Sequence, residues 1–368
     1  MKYLITGGGT GGHIYPALAI ANEIKANEKD AEILYVGTEE GLESELVPKA
    51  GFEFKTIRVR GMPRKINKDF FLAIKELLLG INDSRKIINK FNPDIVIGTG
   101  GYVCGPVVYM AKKKKIPGVI HEQNAFPGIT NKILSRYVDK VAVTFEESKK
   151  YFKFPERVVI TGNPIRREIL EINKEDAYNK LNIDKSIPFI LSFGGSGGQK
   201  KLNDEMYNFV KRANKSKNLQ LIHVTGKRHY NDFINKLEKE NIILNKNIRI
   251  LKYLYEMPYA LNIASLVITS AGAITLAEIS AIGVPSILIP KSYTAENHQE
   301  YNAREFEKEG ASILILEKDL KEDTLWCIIY DIIYDRDKLA TMEKKSRALG
   351  KVDAANKIFK VIKTIANK

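Results

Sequence analysis

The sequence predicts an α/β protein made of two doubly wound, Rossmann-like domains. Three observations predict it. A short apolar strand, a glycine loop and a helical pattern follow one another twice, about half the chain apart. Strand candidates such as 94–98 are apolar on both faces, as strands of a helix-covered parallel sheet are. The chain has 368 residues, long for one domain and comfortable for two.

In the first half, Tyr3 to Thr6 is a strand, GGGTGGH at 7–13 is the loop, and Pro16, Leu18, Ala19 and Ile24 carry a helical pattern. Further strands are expected at 32–37, 94–98, 117–120 and 140–143. The domain boundary is expected near 160–166, where TGNPIRRE carries turn chemistry and Pro164 breaks regular structure. In the second half, Phe189 to Phe193 is a strand, GGSGG at 194–198 is the loop, and Leu202, Met206, Phe209 and Val210 mark a helix. Strands follow at 219–224, 248–250, 266–269 and 286–289. The tail from about 340 to 368 reads as a single helix with no strand partner. The expected domains are 1–163 and 164–344.

Hydrophobic residues at 44% and charged residues at 28% exclude a disordered or fibrous chain. Lys and Arg outnumber Asp and Glu by 58 to 44, and a net charge of +14 points to an anionic partner. Cys104 and Cys327 form no disulfide framework, which suits a reducing compartment. No run of 18 apolar residues is present, and MKYLITGGG does not read as a signal peptide. The expected location is the cytosol or the cytosolic face of a membrane.

Residues 7–12 satisfy G-x-G-x-x-G, a loop that lets backbone amides approach a phosphate at a helix N-terminus. A dinucleotide site also wants an acid after the second strand, and Glu39 and Glu40 stand somewhat late for it. His13 follows the loop directly and is either a general base or a structural, phosphate-binding group. GGSGG is a second amide-rich turn or simply a tight one, and GTGGYVCGP at 98–106 is a third glycine cluster after a strand. Ligands in open α/β sheets bind outside the carboxyl ends of strands, so loops spread over two domains favour a diphosphate ligand in a central cleft. HEQNAFPGITNK at 121–132 gathers polar side chains at another strand end. Glu278 in TSAGAITLAE either grips ribose hydroxyls or faces solvent, and the amides of ENHQEYNA at 296–303 hold a sugar or cap a helix. No D-x-D pair stands where it would hold a divalent ion, so neither metal nor cofactor is expected.

In order along the chain, GGGTGGHIYPALAIA, GTGGYVCGP, HEQNAFPGITNK, TGNPIR, GGSGG, AGAITLAE and NHQEYNA resemble the MurG family over essentially the full length. The resemblance implies a GT-B fold, with two Rossmann-like domains facing a central cleft and a last helix, about 345–368, packing back on the first domain. It implies transfer of N-acetylglucosamine from UDP-N-acetylglucosamine to lipid I, undecaprenyl-diphosphoryl-N-acetylmuramoyl-pentapeptide. The linkage is β-1,4 with inversion, giving lipid II for peptidoglycan. His13 and Glu122 would be catalytic. Gly9, Tyr102 and Asn131 would line the acceptor side. The donor would be held by Thr10, Gly11, Gly12, Asn124, Arg166, Ser196, Asn203, Tyr253, Leu254, Glu278, Gln299 and Asn302. Two positions depart from the family pattern: Gly197 stands where a Gln is common, and Ser270 where an Arg is frequent.

A lipid acceptor implies an anionic membrane surface as partner, peripherally bound. Residues 58–90 suit it. Arg58, Arg60, Arg64, Lys65, Lys68, Lys75, Arg85, Lys86 and Lys90 stand against three acids, a net of +6, around an apolar helix with Phe70, Phe71, Ile74, Leu77, Leu78 and Ile81. The rival readings are a GT-B transferase for another lipid and a UDP-N-acetylglucosamine epimerase. A nucleic-acid partner is disfavoured because no aromatic-and-basic recognition motif occurs.

Overall fold

The computed structural model describes residues 1–63, 65–195, 197–321 and 323–366. They divide into two compact units, Met1–Ile165 with Lys351–Lys368, and Arg166–Gly350.

The first unit carries β1 (Lys2–Thr6), β2 (Glu32–Gly37), β3 (Glu53–Thr56), β4 (Ile95–Gly98), β5 (Gly118–Glu122), β6 (Lys140–Val143) and β7 (Val158–Ile160). Between them run α1 (Gly11–Asn27), α2 (Glu43–Lys49), α3 (Lys68–Phe91), α4 (Cys104–Lys113) and α5 (Ile129–Leu134). The strands form one parallel sheet in the order β3-β2-β1-β4-β5-β6-β7. The second unit starts with α6 (Glu168–Glu171) and α7 (Lys174–Leu181). Its strands are β8 (Phe189–Phe193), β9 (Gln220–Val224), β10 (Ile248–Leu251), β11 (Leu266–Thr269), β12 (Ser286–Leu288) and β13 (Ser312–Leu314). They alternate with α8 (Lys200–Ala213), α9 (Tyr230–Lys239), α10 (Met257–Ile263), α11 (Ala273–Ile282) and α12 (His298–Lys308), and are followed by α13 (Thr324–Ile333) and α14 (Arg336–Leu349). This sheet is also parallel, in the order β10-β9-β8-β11-β12-β13.

The two orders are the same winding. Each reverses direction beside its first strand, between β1 and β4 and between β8 and β11, where open α/β sheets bind ligands. Period-two side chains build the two-faced core. Leu4, Val96 and Ile120 pack one face of the first sheet with Ile88, Val107 and Val108. Their neighbours Tyr3, Ile5, Ile95, Ile97 and Val119 pack the other with Ile14, Ala17 and Ile20.

Two features differ from the sequence expectation. The edge strands β3, β7 and β13 are additional to those expected: β3 has no fully buried residue and so no apolar pattern, and β7 and β13 are three residues long. The tail is two helices, not one. Asp335 caps the start of α14 through its side chain, and α14 ends at Gly350, close against Ser280 of α11. A second helix, α15 (Ala354–Ala366), then packs on α1 in the first unit. It buries Ile358, Ile362 and Ile365, each contributing about 1.5–3 kcal/mol, and Lys363 pairs with Glu28.

Candidate active site

In the first unit the loop after β1 enters α1 at Thr10, whose side chain makes no capping bond. Among the described residues no side chain bonds to the first-turn amides of Gly11 and Gly12, and the helix dipole adds to them. A buried carboxylate holds the loop from beneath. Glu43 Oε2 accepts from Gly9 N at 3.2 Å, and Oε1 accepts from Thr38 N at 3.1 Å and Thr38 Oγ1 at 2.6 Å. A Cβ at Gly8 would lie 2.4 Å from that carboxylate, so only glycine fits above it. The Tyr102 ring lies against Gly9, 3.1 Å from where its Cβ would stand. His13, in the first turn of α1, directs Nδ1 at Thr99 O and Gln123 Oε1, each at 3.1 Å.

Glu122 ends β5 at 1% exposure. Its Oε1 accepts from Asn124 N at 3.0 Å and Nδ2 at 3.1 Å; its Oε2 accepts from Gly128 N at 3.1 Å and Asn131 Nδ2 at 2.8 Å. Four donors saturate the carboxylate, which shapes the 122–131 loop. Asn131 also donates to His121 O at 3.1 Å, while its buried Oδ1 has no partner among the described residues. Gly9 to His13, Tyr102, Glu122, Asn124 and Asn131 thus lie in or beside three loops, those after β1, β4 and β5 of one sheet.

In the second unit the loop after β8 closes on itself, Gly198 N donating to Gly195 O at 3.0 Å. Ser196 lies outside the described residues. Among the described residues nothing lies within 4 Å of a Cβ at Gly197, whereas one at Gly198 would meet Thr225 O at 2.2 Å. Buried Gln199 anchors the loop, its Nε2 donating to Ile289 O at 3.0 Å and Glu317 Oε1 at 2.9 Å. Asn203 donates to Thr225 O at 3.0 Å and leaves a buried Oδ1 without a partner among the described residues. Measured from a Cβ at Gly195, Ser270 Oγ stands at 3.5 Å and Lys291 Nζ at 3.8 Å. Burial holds the Lys291 ammonium below its ordinary range, and Glu317 opposes that. Gln299 Oε1 accepts from Lys291 N at 3.0 Å, and Asn302 Nδ2 donates to Ala271 O at 3.2 Å.

Arg166 and Glu278 form a separate pair. Arg166 Nε and Nη2 donate to the same carboxylate oxygen at 3.1 and 3.0 Å. Burial raises the Glu278 carboxyl above its ordinary range, and the guanidinium only partly counters it. Leu254 is buried and Tyr253 exposed in the loop after β10, where Tyr253 packs edge-on against Tyr255 at 4.8 Å. No hydrogen bond among the described residues joins these two to Glu278 or to the second glycine loop.

Sequence reasoning missed Glu43 and Lys291. It weighed Glu39 and Glu40, both of which are exposed. The available signal was helical spacing, since Glu43 and Val47 are the buried pair of α2. For Lys291 it was position, a lysine two residues beyond an apolar strand, at the end where ligands bind. Among the described residues no group of three or more His, Cys, Asp or Glu side chains is placed to hold a metal ion.

The chain matches the glycosyltransferase family 28 N-terminal domain over residues 3–143 and the family 28 C-terminal domain over 189–358. It is 53% identical, over 99% of its length and 100% of the relative's, to a UDP-N-acetylglucosamine--N-acetylmuramyl-(pentapeptide) pyrophosphoryl-undecaprenol N-acetylglucosamine transferase of Thermoanaerobacter sp. (strain X514). The crystal structure of Acinetobacter baumannii MurG superposes with a TM-score of 0.77 at 25% identity, covering 99% of this chain and 100% of that one. A UDP-GlcNAc 2-epimerase from Neisseria meningitidis, bound to UDP-GlcNAc, reaches 0.72 at 13% identity over 99% and 100%, which speaks for the fold alone. The fold is therefore shared more widely than the sequence, and the sequence decides: the chain belongs to glycosyltransferase family 28.

Proposed function

We propose that this chain transfers N-acetylglucosamine from UDP-N-acetylglucosamine to undecaprenyl-diphosphoryl-N-acetylmuramoyl-pentapeptide, forming a β-1,4 bond with inversion and releasing UDP. The observation that carries the reading is 53% identity along the whole chain to a transferase with that name. In a single displacement the acceptor hydroxyl oxygen bonds to the anomeric carbon. The bond from that carbon to the diphosphate oxygen breaks, and its electron pair leaves with UDP. The hydroxyl proton passes to a base. His13 is that base, because the Glu122 carboxylate is committed to four donors.

The donor half-site is assigned to the second unit. The amides of loop 194–198, with Ser196, Asn203 and the Lys291 ammonium, take up charge growing on the diphosphate. Glu278 with Arg166 takes the ribose, Leu254 and Tyr253 the uracil, and Gln299 and Asn302 the sugar. In the first unit, Thr10, Gly11, Gly12 and Asn124 are also assigned to the donor, and Gly9, Tyr102 and Asn131 to the acceptor. Incubating the chain with labelled donor, with and without lipid I, tests this. Label is expected in lipid only when lipid I is present. Epimerised UDP-sugar formed without acceptor would overturn it.

The acceptor carries a polyprenyl chain, and no described helix is long and apolar enough to cross a membrane. The first unit docks on the cytoplasmic face of an anionic bilayer. Ile66, Phe71 and Leu78 are 79%, 65% and 63% exposed beside α3 and on it. Arg58 and Arg60 are neutralised by Asp83 and Glu76, and Arg64 lies outside the described residues. Lys65, Lys68, Lys75, Arg85, Lys86 and Lys90 make no ion pair among the described residues, and each contributes about 1 kcal/mol near such a surface. Vesicle sedimentation is expected to rise with anionic lipid and fall with salt. Binding indifferent to both would overturn the docking.

A further inference from the structure

We infer that Gln123 fixes which nitrogen of His13 carries the proton, and so makes Nε2 of His13 the atom that accepts the proton of the attacking hydroxyl. The inference rests on the transferase reading above and deepens it.

The atoms around His13 Nδ1 can each play only one part. Gln123 is almost wholly buried. One end of its amide lies 2.7 Å from Thr99 O and 3.2 Å from His121 O. Both are carbonyl oxygens, which only accept, so this end is the NH2 group. The other end is therefore the carbonyl Oε1, and it faces His13 Nδ1 at 3.1 Å. Thr99 O approaches the same nitrogen at 3.1 Å. Two obligate acceptors converge on Nδ1, so Nδ1 carries the hydrogen, and in the neutral ring the lone pair stands on Nε2. Nε2 has no hydrogen-bond partner among the described residues. A Cβ at Gly100 would stand 2.8 Å from Nδ1 and 2.9 Å from Cε1, so the backbone packs closely along this edge of the ring.

The same amide reads a second histidine in the opposite sense. His121 Nε2 lies 3.0 Å from Gly162 O, so Nε2 carries its hydrogen. His121 Nδ1 then accepts from Gln123 Nε2 at 3.0 Å. Burial holds the His121 imidazole down to about 4, so it stays neutral and does not turn donor toward the amide. Gly162 is itself fixed, its N donating to Val143 O at 3.2 Å and its O accepting from Thr161 Oγ1 at 3.1 Å. Hydrogen bonds thus run one way, from His13 to Gln123 to His121 to Gly162. His121 and Gln123 are positioning residues, since they act through His13. In a Ser-His-Asp triad a wrong imidazole tautomer costs about 10⁴-fold in kcat.

The test is long-range ¹H–¹⁵N correlation on the unaltered chain labelled at histidine. The chain has 5 His, and the spectra of His13→Asn and His121→Asn assign the two by subtraction. In the neutral form of its ring, His13 is expected to show a protonated Nδ1 and a bare Nε2, and His121 the reverse. No substrate is needed, so a spectrum as expected from a chain that makes no lipid-linked product overturns the transferase reading alone. Gln123→Met removes both ends of the amide and leaves Thr99 O as the one acceptor at Nδ1, so the Nε2–H tautomer is expected to appear at His13 beside the Nδ1–H form, with kcat lowered by roughly 10–100-fold and both KM values held within about twofold. His13 with its hydrogen on Nε2 in the unaltered chain would overturn the inference. So would Gln123→Met with the Nδ1–H form intact and kcat near that of the unaltered chain. If that variant does not fold, the first spectrum decides.

Discussion

The two glycine loops occupy the same place in the same winding, after the first strand of each sheet, yet they are equipped with opposite chemistry. The loop after β1 rests on the Glu43 carboxylate and is followed by an imidazole. The loop after β8 is followed by Gln199, whose amide ties it to Ile289 O and Glu317, and is flanked by the Lys291 ammonium. A carboxylate under a loop discourages a second anion above it, whereas a lysine beside one invites it. On the proposed reading, loops at the same place in the winding divide the work: proton chemistry in the first unit, diphosphate charge in the second.

The largest break in that division is His13→Ala. Loss of a general base lowers turnover by about 10²–10⁴-fold, so kcat is expected to fall by that much while UDP affinity, measured by titration calorimetry, stays within about twofold. Equal losses in kcat and UDP affinity would mean that the first loop holds the diphosphate. Next comes the support beneath. Glu43→Ala leaves the Gly9 and Thr38 donors without an acceptor. Each buried orphan costs about 1–3 kcal/mol, so a loss of roughly 3 kcal/mol is expected in urea unfolding of the full chain. A change under about 0.5 kcal/mol, the range of ordinary surface substitutions, would show that the loop stands without it.

Much of this scaffold was legible in the chain. Central strands such as Ile95–Gly98 are apolar throughout because helices cover both faces, and glycine loops mark the strand ends where the winding reverses. What was not legible follows from physics as well. Edge strands such as Glu53–Thr56 lack the covering that writes an apolar pattern. The close approach of Gly350 to Ser280, far away in sequence, is visible only in the fold. Gln123 stood among several polar neighbours in HEQN, and only distances to Thr99 O and the His121 ring separate its part from that of Glu122. Lys291 was hidden for a related reason: its partner loop lies nearly a hundred residues away.

Lys291 gives the next prediction. Hydrogen bonds to charged groups contribute about 1.5–3 kcal/mol, so Lys291→Met is expected to weaken UDP binding by at least about tenfold and to flatten its salt dependence. Burial lowers the lysine's pKa, so in the unaltered chain UDP affinity should fall, as pH rises, before an ordinary lysine would lose its proton. The loss should be far smaller for uridine, which has no phosphate. An equal loss for both would move Lys291 away from the diphosphate.

The smallest effect concerns Glu278, and there binding and stability should move in opposite directions. Burial raises its carboxyl above the ordinary range although Arg166 donates to it twice. A carboxylate that grips ribose hydroxyls must be ionised to accept from both. On acidification, affinity for UDP is therefore expected to decline at a higher pH than an ordinary glutamate, near 4.3, would dictate. Stability has the other sign. A carboxyl whose folded pKa lies above its unfolded value stabilises most when protonated, and that contribution is lost as pH rises through the folded pKa. Wherever Glu278 is ionised, its burial is a cost to the folded unit. Glu278→Gln is thus expected to leave the unliganded Tm unchanged or slightly raised at pH 7, to weaken UDP binding, and to abolish the acid limb of the affinity profile. A Tm that falls along with affinity would make Glu278 a partner that holds Arg166 in the fold, and would remove it from the ribose.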